Sequence, residues 1–492
     1  MSSFAKAQTD TAWVTTYGGI QNDWCQQIKP TYDGGYITIG TTNSFGCGNT
    51  SFYVIKTDSL CKKQWSKTYG GAVNQAGYSV ATTYDHGYAF VGYTDSYDSG
   101  NYQVYLVRTD SLGNVKWQKT YGGKTWSFGY SIAQTYDSGF VVCGLTYSYP
   151  AINGDMYVVR ADKNGDTVWT RTIGGAGYDL GNSVYVHSSN LYAIVGATTS
   201  FGAGDTDMYI VELDSSGIVF KDTTYGCTHN DVAYSIWGLK NGGFLIYGST
   251  DSTKALNVSD QVLYETDSTL KLNVPYPQIY PSPKTAIGKD AEQALDGSIV
   301  TVGTSNSSGG GGFDMDMQQV QYGGGWFLGG ATEGGAKDEY GNSLAIGRNG
   351  NVVFAGATAS FGQGLFDVYL VRVKNDSIRT GYDTVGHYYR DSSLCASLGL
   401  AAVPYNHTDV MIYPNPMVTE ANIIIQSSIA ENYSCKLYDV FGRCVMENIP
   451  INSLYHGQSV GNIKRNGLNS GVYFYEIFSA KGRVASGKLS VE

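Results

Sequence analysis

The chain has 492 residues and a net charge of −10, with 15% charged residues, 64 glycines and 41 tyrosines. An acidic chain without a Lys/Arg cluster excludes nucleic acid and an anionic membrane surface as partners, and no apolar run is long enough to span a bilayer. Few charges with much Gly and Tyr suit short strands joined by tight turns, and the length allows several domains, or one large closed repeat with an appendage.

Residues 1–10 read as a tail. Ala5-Lys6-Ala7 before Gln8 looks like the small-residue end of a secretory signal whose apolar segment is missing, so the numbering is expected to start inside a signal peptide. From Trp13 onwards the chain repeats. Tyr17, Tyr69, Tyr121 and Tyr225 open Tyr-Gly pairs on a step of 52 residues, with Ile173 in the fourth place, and Trp13, Trp65, Trp117 and Trp169 keep the same step. A constant period of this size marks a repeat architecture.

In the copy at 77–123, four β-type runs follow one another: a (78–83), b (88–93), c (104–108) and d (115–120). The a–b links carry hairpin-turn residues that tolerate positive φ: Asp33-Gly34-Gly35, Asp85-His86-Gly87, Asp137-Ser138-Gly139, Asn241-Gly242-Gly243, Asp296-Gly297 and Asn349-Gly350. Strand c is nearly all apolar, which implies cover on both faces. Four antiparallel strands cannot bury two apolar faces alone; stacking such sheets radially does, and the expected fold is an all-β, seven-bladed β-propeller over residues 11–385. The fourth hairpin is irregular (184–196), and the fifth and sixth repeats are degraded, with Pro275-Tyr276-Pro277 to Pro283 between them. The seventh (340–373) lacks a Trp-bearing strand d. Trp13 to Gly19 matches Trp65 to Gly71, so the first strand is expected to complete the last blade and remove its open edge. Known seven-bladed propellers, which this repeat resembles, commonly close this way.

Residues 386–408 lose the pattern and read as a linker. From Asp409 to Glu492, period-2 runs and Gly turns predict a small antiparallel β domain, an Ig-like sandwich. Its motifs come in a set order: Tyr413-Pro414-Asn415-Pro416, then Leu437-Tyr438-Asp439 with Gly442-Arg443, then Leu468 with Gly471-Val472-Tyr473 and Tyr475, then Gly487-Lys488-Leu489. In these motifs the segment closely resembles the C-terminal sorting domain of the type IX secretion system of Bacteroidetes. The resemblance implies a partner, the secretion machinery. It also implies passage through the periplasm, then release or attachment at the outer-membrane surface. Tyr413, Pro414, Asn415, Pro416, Gly442, Arg443, Gly471, Tyr473 and Lys488 carry the match.

For the propeller the chemistry is less marked. The c–d turn Asp110 to Trp117 departs from the Asp-box of sialidase-type propellers in both spacings, and reads as a turn before an outer-strand Trp. Six histidines fall in unrelated places, and no HExxH, GxSxG or metal spacing occurs. The eight cysteines are scattered; Cys143 sits in an apolar strand, and Cys25 and Cys47 could meet at one end of the first repeat. One constellation recurs. Asp155, Asp207 and Asp367 stand two residues before the strand-c Tyr, Asp260 and Asp314 hold the matching place, and Ser51 and Gln103 replace them in the first two repeats. The preceding link repeats Ser-Phe-Gly-x-Gly at 44–48, 200–204 and 360–364. Each Asp is expected to hold its own loop. The functional alternative is a set of carboxylates and loop aromatics (Phe45, Trp126, Phe201, Phe361) on the face bearing the longer b–c and d–a links. There they would meet a glycan or protein ligand, or a hard cation such as Ca²⁺. No cofactor and no catalytic residue is assigned. A secreted or surface-displayed binding protein is the first reading. A polysaccharide hydrolase or lyase with dispersed carboxylates, and a structural surface protein, are the alternatives.

Overall fold

The computed structural model describes residues 12–373, apart from 98–99, 149–152, 189–190, 227, 252–257, 274–276, 308, 324–326 and 349, and residues 409–491, apart from 414–416, 427–432, 440–442, 454–457, 466 and 480–481. The tail 1–10 and the linker 386–408 lie outside the described residues. So do Pro414, Asn415, Pro416 and Gly442 of the sorting motif. The chain divides into two compact units.

In the larger unit the described residues form seven four-stranded antiparallel sheets, each in the order a-b-c-d. The a strands are Asp23–Pro30, Gln75–Thr82, Ser127–Gln134, Asp179–Ser188, Asp231–Gly238, Ala286–Gln293 and Glu339–Ile346. Each touches the a strand of the next blade, and the seventh touches the first, so the a strands line the axis of a closed ring. The last blade takes its d strand from the N-terminus: Ala12–Tyr17 pairs antiparallel with Asp367–Val373, from Ala12 opposite Val373 to Tyr17 opposite Val368. The Arg372 guanidinium lies 4.0 Å over the Trp13 ring.

The c strands are buried along almost their whole length. Phe52 and Val54 pack with the second blade, whereas Tyr53 and Ile55 pack with the seventh. Both faces are core, so the sequence shows no alternation there. The a–b turns have positive φ at Gly34, His86, Ser138, Gly242, Gly297 and Gly350, and in the first three blades the turn Asp is anchored by a strand-c cation: Lys56 to Asp33 at 2.8 Å, Arg160 to Asp137 at 2.6 Å, and Arg108 to Asp85.

Strand a begins earlier than its apolar pattern suggests, at Gln75 instead of Tyr78, because each a strand carries a β-bulge that breaks the period of two. The bulged residues are Gln26, Tyr78, Tyr130, Asn182, Tyr234, Lys289 and Asn342, one per blade, all half-buried. The residue after each bulge builds a girdle. Val80 N–H donates to Gln27 (2.8 Å), Ile132 to Ser79 (3.2 Å), Val184 to Ser131 (3.2 Å), Ile236 to Ser183 (3.3 Å), Leu344 to Asp290 (3.2 Å) and Ile28 to Ser343 (3.4 Å). Between the fifth and sixth blades the Ser235 hydroxyl donates to Asp290 instead (2.8 Å).

The repeated Tyr and Trp of strand d staple the rim. Tyr69 and Tyr121 donate to the Gly113 and Gly165 carbonyls of the next c–d turn (2.8 and 2.7 Å), and the Trp117 and Trp169 indoles to Lys163 and Ser215 (3.1 and 2.9 Å). In the degraded fifth blade strand d shrinks to Gln278–Tyr280.

In the smaller unit the described strands form one seven-stranded antiparallel sheet, folded over a single core that includes Ile423, Ile425, Cys435, Leu437, Ile451, Ile477 and Leu489. The two layers of the sandwich are thus one continuous sheet. The Leu-Tyr-Asp hairpin is pinned by the Arg443 guanidinium on Asp439 (2.7 Å), and the Tyr473 hydroxyl donates to the Asn469 carbonyl (3.0 Å). Gly471 opens a strand, and Lys488 is exposed opposite Phe474. Tyr413 ends the first strand of this sheet.

Candidate functional site

Strand direction alternates, so the a–b and c–d turns share one end of the propeller and the b–c and d–a links share the other. On that loop-rich end the Ser-Phe motif is a latch between blades. Ser44, Ser200 and Ser360 accept from the backbone N–H of Gln21, Gly177 and Lys337 in the preceding d–a link (3.0, 2.8 and 2.9 Å). Ser44 and Ser200 also donate to the strand-a carboxylates Asp23 and Asp179 (2.7 and 2.6 Å), which in turn accept from Gly19 and Gly175. Phe45, Phe201 and Phe361 cover Gly19, Gly175 and Gly335, where any Cβ would collide with the latch serine. Each ring also packs on its blade's strand-c Tyr, at 5.4, 5.5 and 5.9 Å between centroids. About 42% of Phe45 still faces solvent.

The recurring Asp residues head their c strands. Asp207, Asp260, Asp314 and Asp367 are buried, and Asp155 is half-buried. Asp207 accepts from Gly204 (2.9 Å), Asp260 from Ser282 (2.7 Å), and Asp367 from Gln363 and Gly364 (2.8 and 2.9 Å). Burial raises the Asp155, Asp207 and Asp367 carboxyls above the usual range; Asp179 adds to it at Asp155 and Asp23 at Asp367. The structure keeps these carboxylates one per blade and does not bring them together. It pairs four of them with a strand-a acid of the next blade: Asp155 with Asp179, Asp207 with Asp231, Asp314 with Glu339 and Asp367 with Asp23, each pair closing on a d–a glycine. Among the described residues no group of three or more His, Cys, Asp or Glu could hold a metal ion. Cys25, Cys47 and Cys143 are free thiols, Cys143 fully buried.

Trp126 is half-exposed in an aromatic group with Tyr102 and Tyr147 (5.8 and 6.4 Å) between the second and third blades. Phe45 and Asp367, by contrast, meet. They line a groove of about 660 Å³ at the closing seam, between the first and seventh blades, with Tyr17, Tyr53, Lys63, Ser66, Lys67 and Thr68. A difference between repeats accounts for it. In the second and fourth blades a larger strand-d side chain fills this place and bonds the strand-c Tyr: Gln118 on Tyr105 (2.7 Å) and Asp222 on Tyr209 (2.9 Å). The first blade has Ser66 there. Lys63 leans over the Tyr17 ring (5.9 Å), and Lys67 reaches Asn114 (2.9 Å). Burial pushes the Tyr17 and Tyr53 hydroxyls up to about 12, so both are neutral donors. Tyr17, Lys63, Ser66 and Lys67 escaped the sequence reading; the departure of Ser66 from Gln118 and Asp222 was the signal.

No curated protein matches the chain. Among solved structures, a puromycin hydrolase mutant complexed with PGG aligns at 9% identity over 82% of this chain and 59% of that one, with a TM-score of 0.45. A glucose dehydrogenase aligns at 11% over 73% and 99% (TM-score 0.38), and the PQQ-bound aldose sugar dehydrogenase of Streptomyces coelicolor at 8% over 74% and 98% (TM-score 0.36). This chain therefore spans about three-fifths of the hydrolase's length. Residues 411–492 match the family model described as the secretion system C-terminal sorting domain. Over those residues the chain is a type IX sorting domain, the signal for export and for secretion or surface attachment, and the seven-bladed propeller ahead of it is what that signal carries.

Proposed function

We propose that the exported propeller is a glycan-binding protein whose loop-rich end meets the ligand at the closing seam. The observation that carries this reading is the groove opened by Ser66. Phe45 and Tyr17 offer ring faces for sugar carbons, and Ser66, Thr68 and Gln363 offer hydrogen bonds for hydroxyls. Its volume lies within the usual range for small-ligand sites, about 300–1,000 Å³. Hydrolysis by paired carboxylates would need two acids flanking one bond. Among the described residues Asp367 is the one acid lining the groove, and it is engaged by its own loop, which favours binding over catalysis.

Ser66→Gln tests the reading, because it installs the residue that the second blade already carries. Glycans captured by the purified native protein on an array should be lost, by about tenfold or more in affinity, in Ser66→Gln with unchanged melting, and also in Phe45→Ala. Capture that survives Ser66→Gln would refute the groove as the site.

A further inference from the structure

The seven bulged residues form a band inside the ring. Asn182 and Asn342 donate to the Ala233 and Cys25 carbonyls of the next a strand (2.9 and 2.8 Å), the Tyr78 and Tyr130 rings meet edge-on at 5.2 Å, and the Lys289 ammonium sits 3.7 Å over the Tyr234 ring. Side chains that reach from one a strand to the next while staying half-exposed line the axial channel. A bulge is the device that re-aims them there. Six of the seven are neutral: three tyrosines, two asparagines and a glutamine. Lys289 is the one charge. Among the described residues no carboxylate lies within ion-pairing reach of it, and a tyrosine face is its one close counterpart. Burial lowers its amine to about 8, so at neutral pH it is still largely a cation.

The channel has a floor. The Lys29 ammonium lies 5.0 Å over the Trp237 ring. These residues belong to the first and fifth blades, which are not neighbours, so the contact crosses the axis near the tight-turn end. Glu292, from the sixth blade, feels the charge of Lys29 there. Entry is left to the loop-rich end, where Trp24, Phe366 and Tyr340 stack beside the opening (4.3 and 5.6 Å from Trp24).

We propose that this channel is a second binding site, a blind cup for a carboxylated sugar, whose carboxylate pairs with Lys289 while the bulge tyrosines and amides take its ring and hydroxyls. The charge needs an anion that the protein does not supply, and desolvation makes such a pair stronger than one on the surface. Flat apolar rings beside amide groups suit a pyranose better than a bare inorganic anion.

Titration calorimetry of the full chain with galacturonate and with galactose tests it. Galacturonate is expected to saturate one site that galactose does not fill. Lys289→Gln, which copies the Gln26 of the first blade, should weaken galacturonate at least tenfold. Ser66→Gln should leave it unchanged. Absence of saturable galacturonate binding, full binding by Lys289→Gln, or its loss in Ser66→Gln would each overturn the proposal. Should Lys289→Gln fail to fold, the native chain decides: galacturonate must shield Lys289 from reductive methylation, read by peptide mass spectrometry, and an unshielded Lys289 refutes the cup.

Discussion

At the scale of single residues, positions one apart in the repeat do different jobs. Ser79 ties two blades together in the girdle, and Tyr78 before it, freed by the bulge, faces the channel. The third strand shows the same economy. Lys56, Arg108 and Arg160 anchor an a–b Asp, but the fifth blade puts Glu265 in that place, fully buried, accepting from the Gly323 N–H (2.9 Å) and the Gln278 amide (3.1 Å). Burial pushes its carboxyl from 4.5 up to about 7. Below the lower value both folded and unfolded chains carry the proton. Between the two values the unfolded chain alone ionises, so stability falls as pH rises, and the loss is complete above the higher one. The full effect is on the order of 3 kcal/mol. Glu265→Gln should therefore flatten the decline in denaturation midpoint between pH 5 and 7. Parallel slopes for the two proteins would show that Glu265 is ionised when folded.

At the scale of elements, the propeller was legible in the sequence because its connectors recur at one spacing. The Tyr and Trp of strand d, the turn Asp residues and the apolar c strand are periodic, and each turns out to staple, anchor or fill. The closing strand was legible for the same reason. The bulges were not, since one extra residue merely shortens the visible apolar run. The groove was hidden for the opposite reason: it lies where Ser66 stands in a place that Gln118 and Asp222 fill in other blades. Of the nine loop-face residues singled out by recurrence, the structure gathers Phe45 and Asp367; recurrence favours what every blade needs, whereas a site needs a blade that differs. Removing residues 1–19 would strip strand d from the seventh blade and bare the Asp367–Val373 edge. Light scattering should then show association, and the melting temperature should drop by several degrees. A truncated chain that stays monomeric with an unchanged melt would mean that the seventh blade is complete without its clasp.

At the scale of the molecule, the carrier and its cargo obey different rules. The sorting motifs are local and ordered along the chain, so they could be read directly; the propeller's chemistry is assembled from distant blades and could not. Loss of residues 409–492 in the native host should leave a folded propeller, with unchanged melting, retained in the periplasm. Its appearance in the medium would contradict the role of the sorting domain.

Pairing Ala12 with Val373 also imposes an order in time. The two halves of that seam are nearly the first and last parts of the ring to be delivered, so the fastening must follow everything between them. Contacts this distant along the chain form slowly. Run in reverse, unfastening is the natural first step of loss. Outside the cell, where nothing refolds a failed molecule, the working lifetime of this protein is then a rate and not an equilibrium, set by how often one short N-terminal strand lets go.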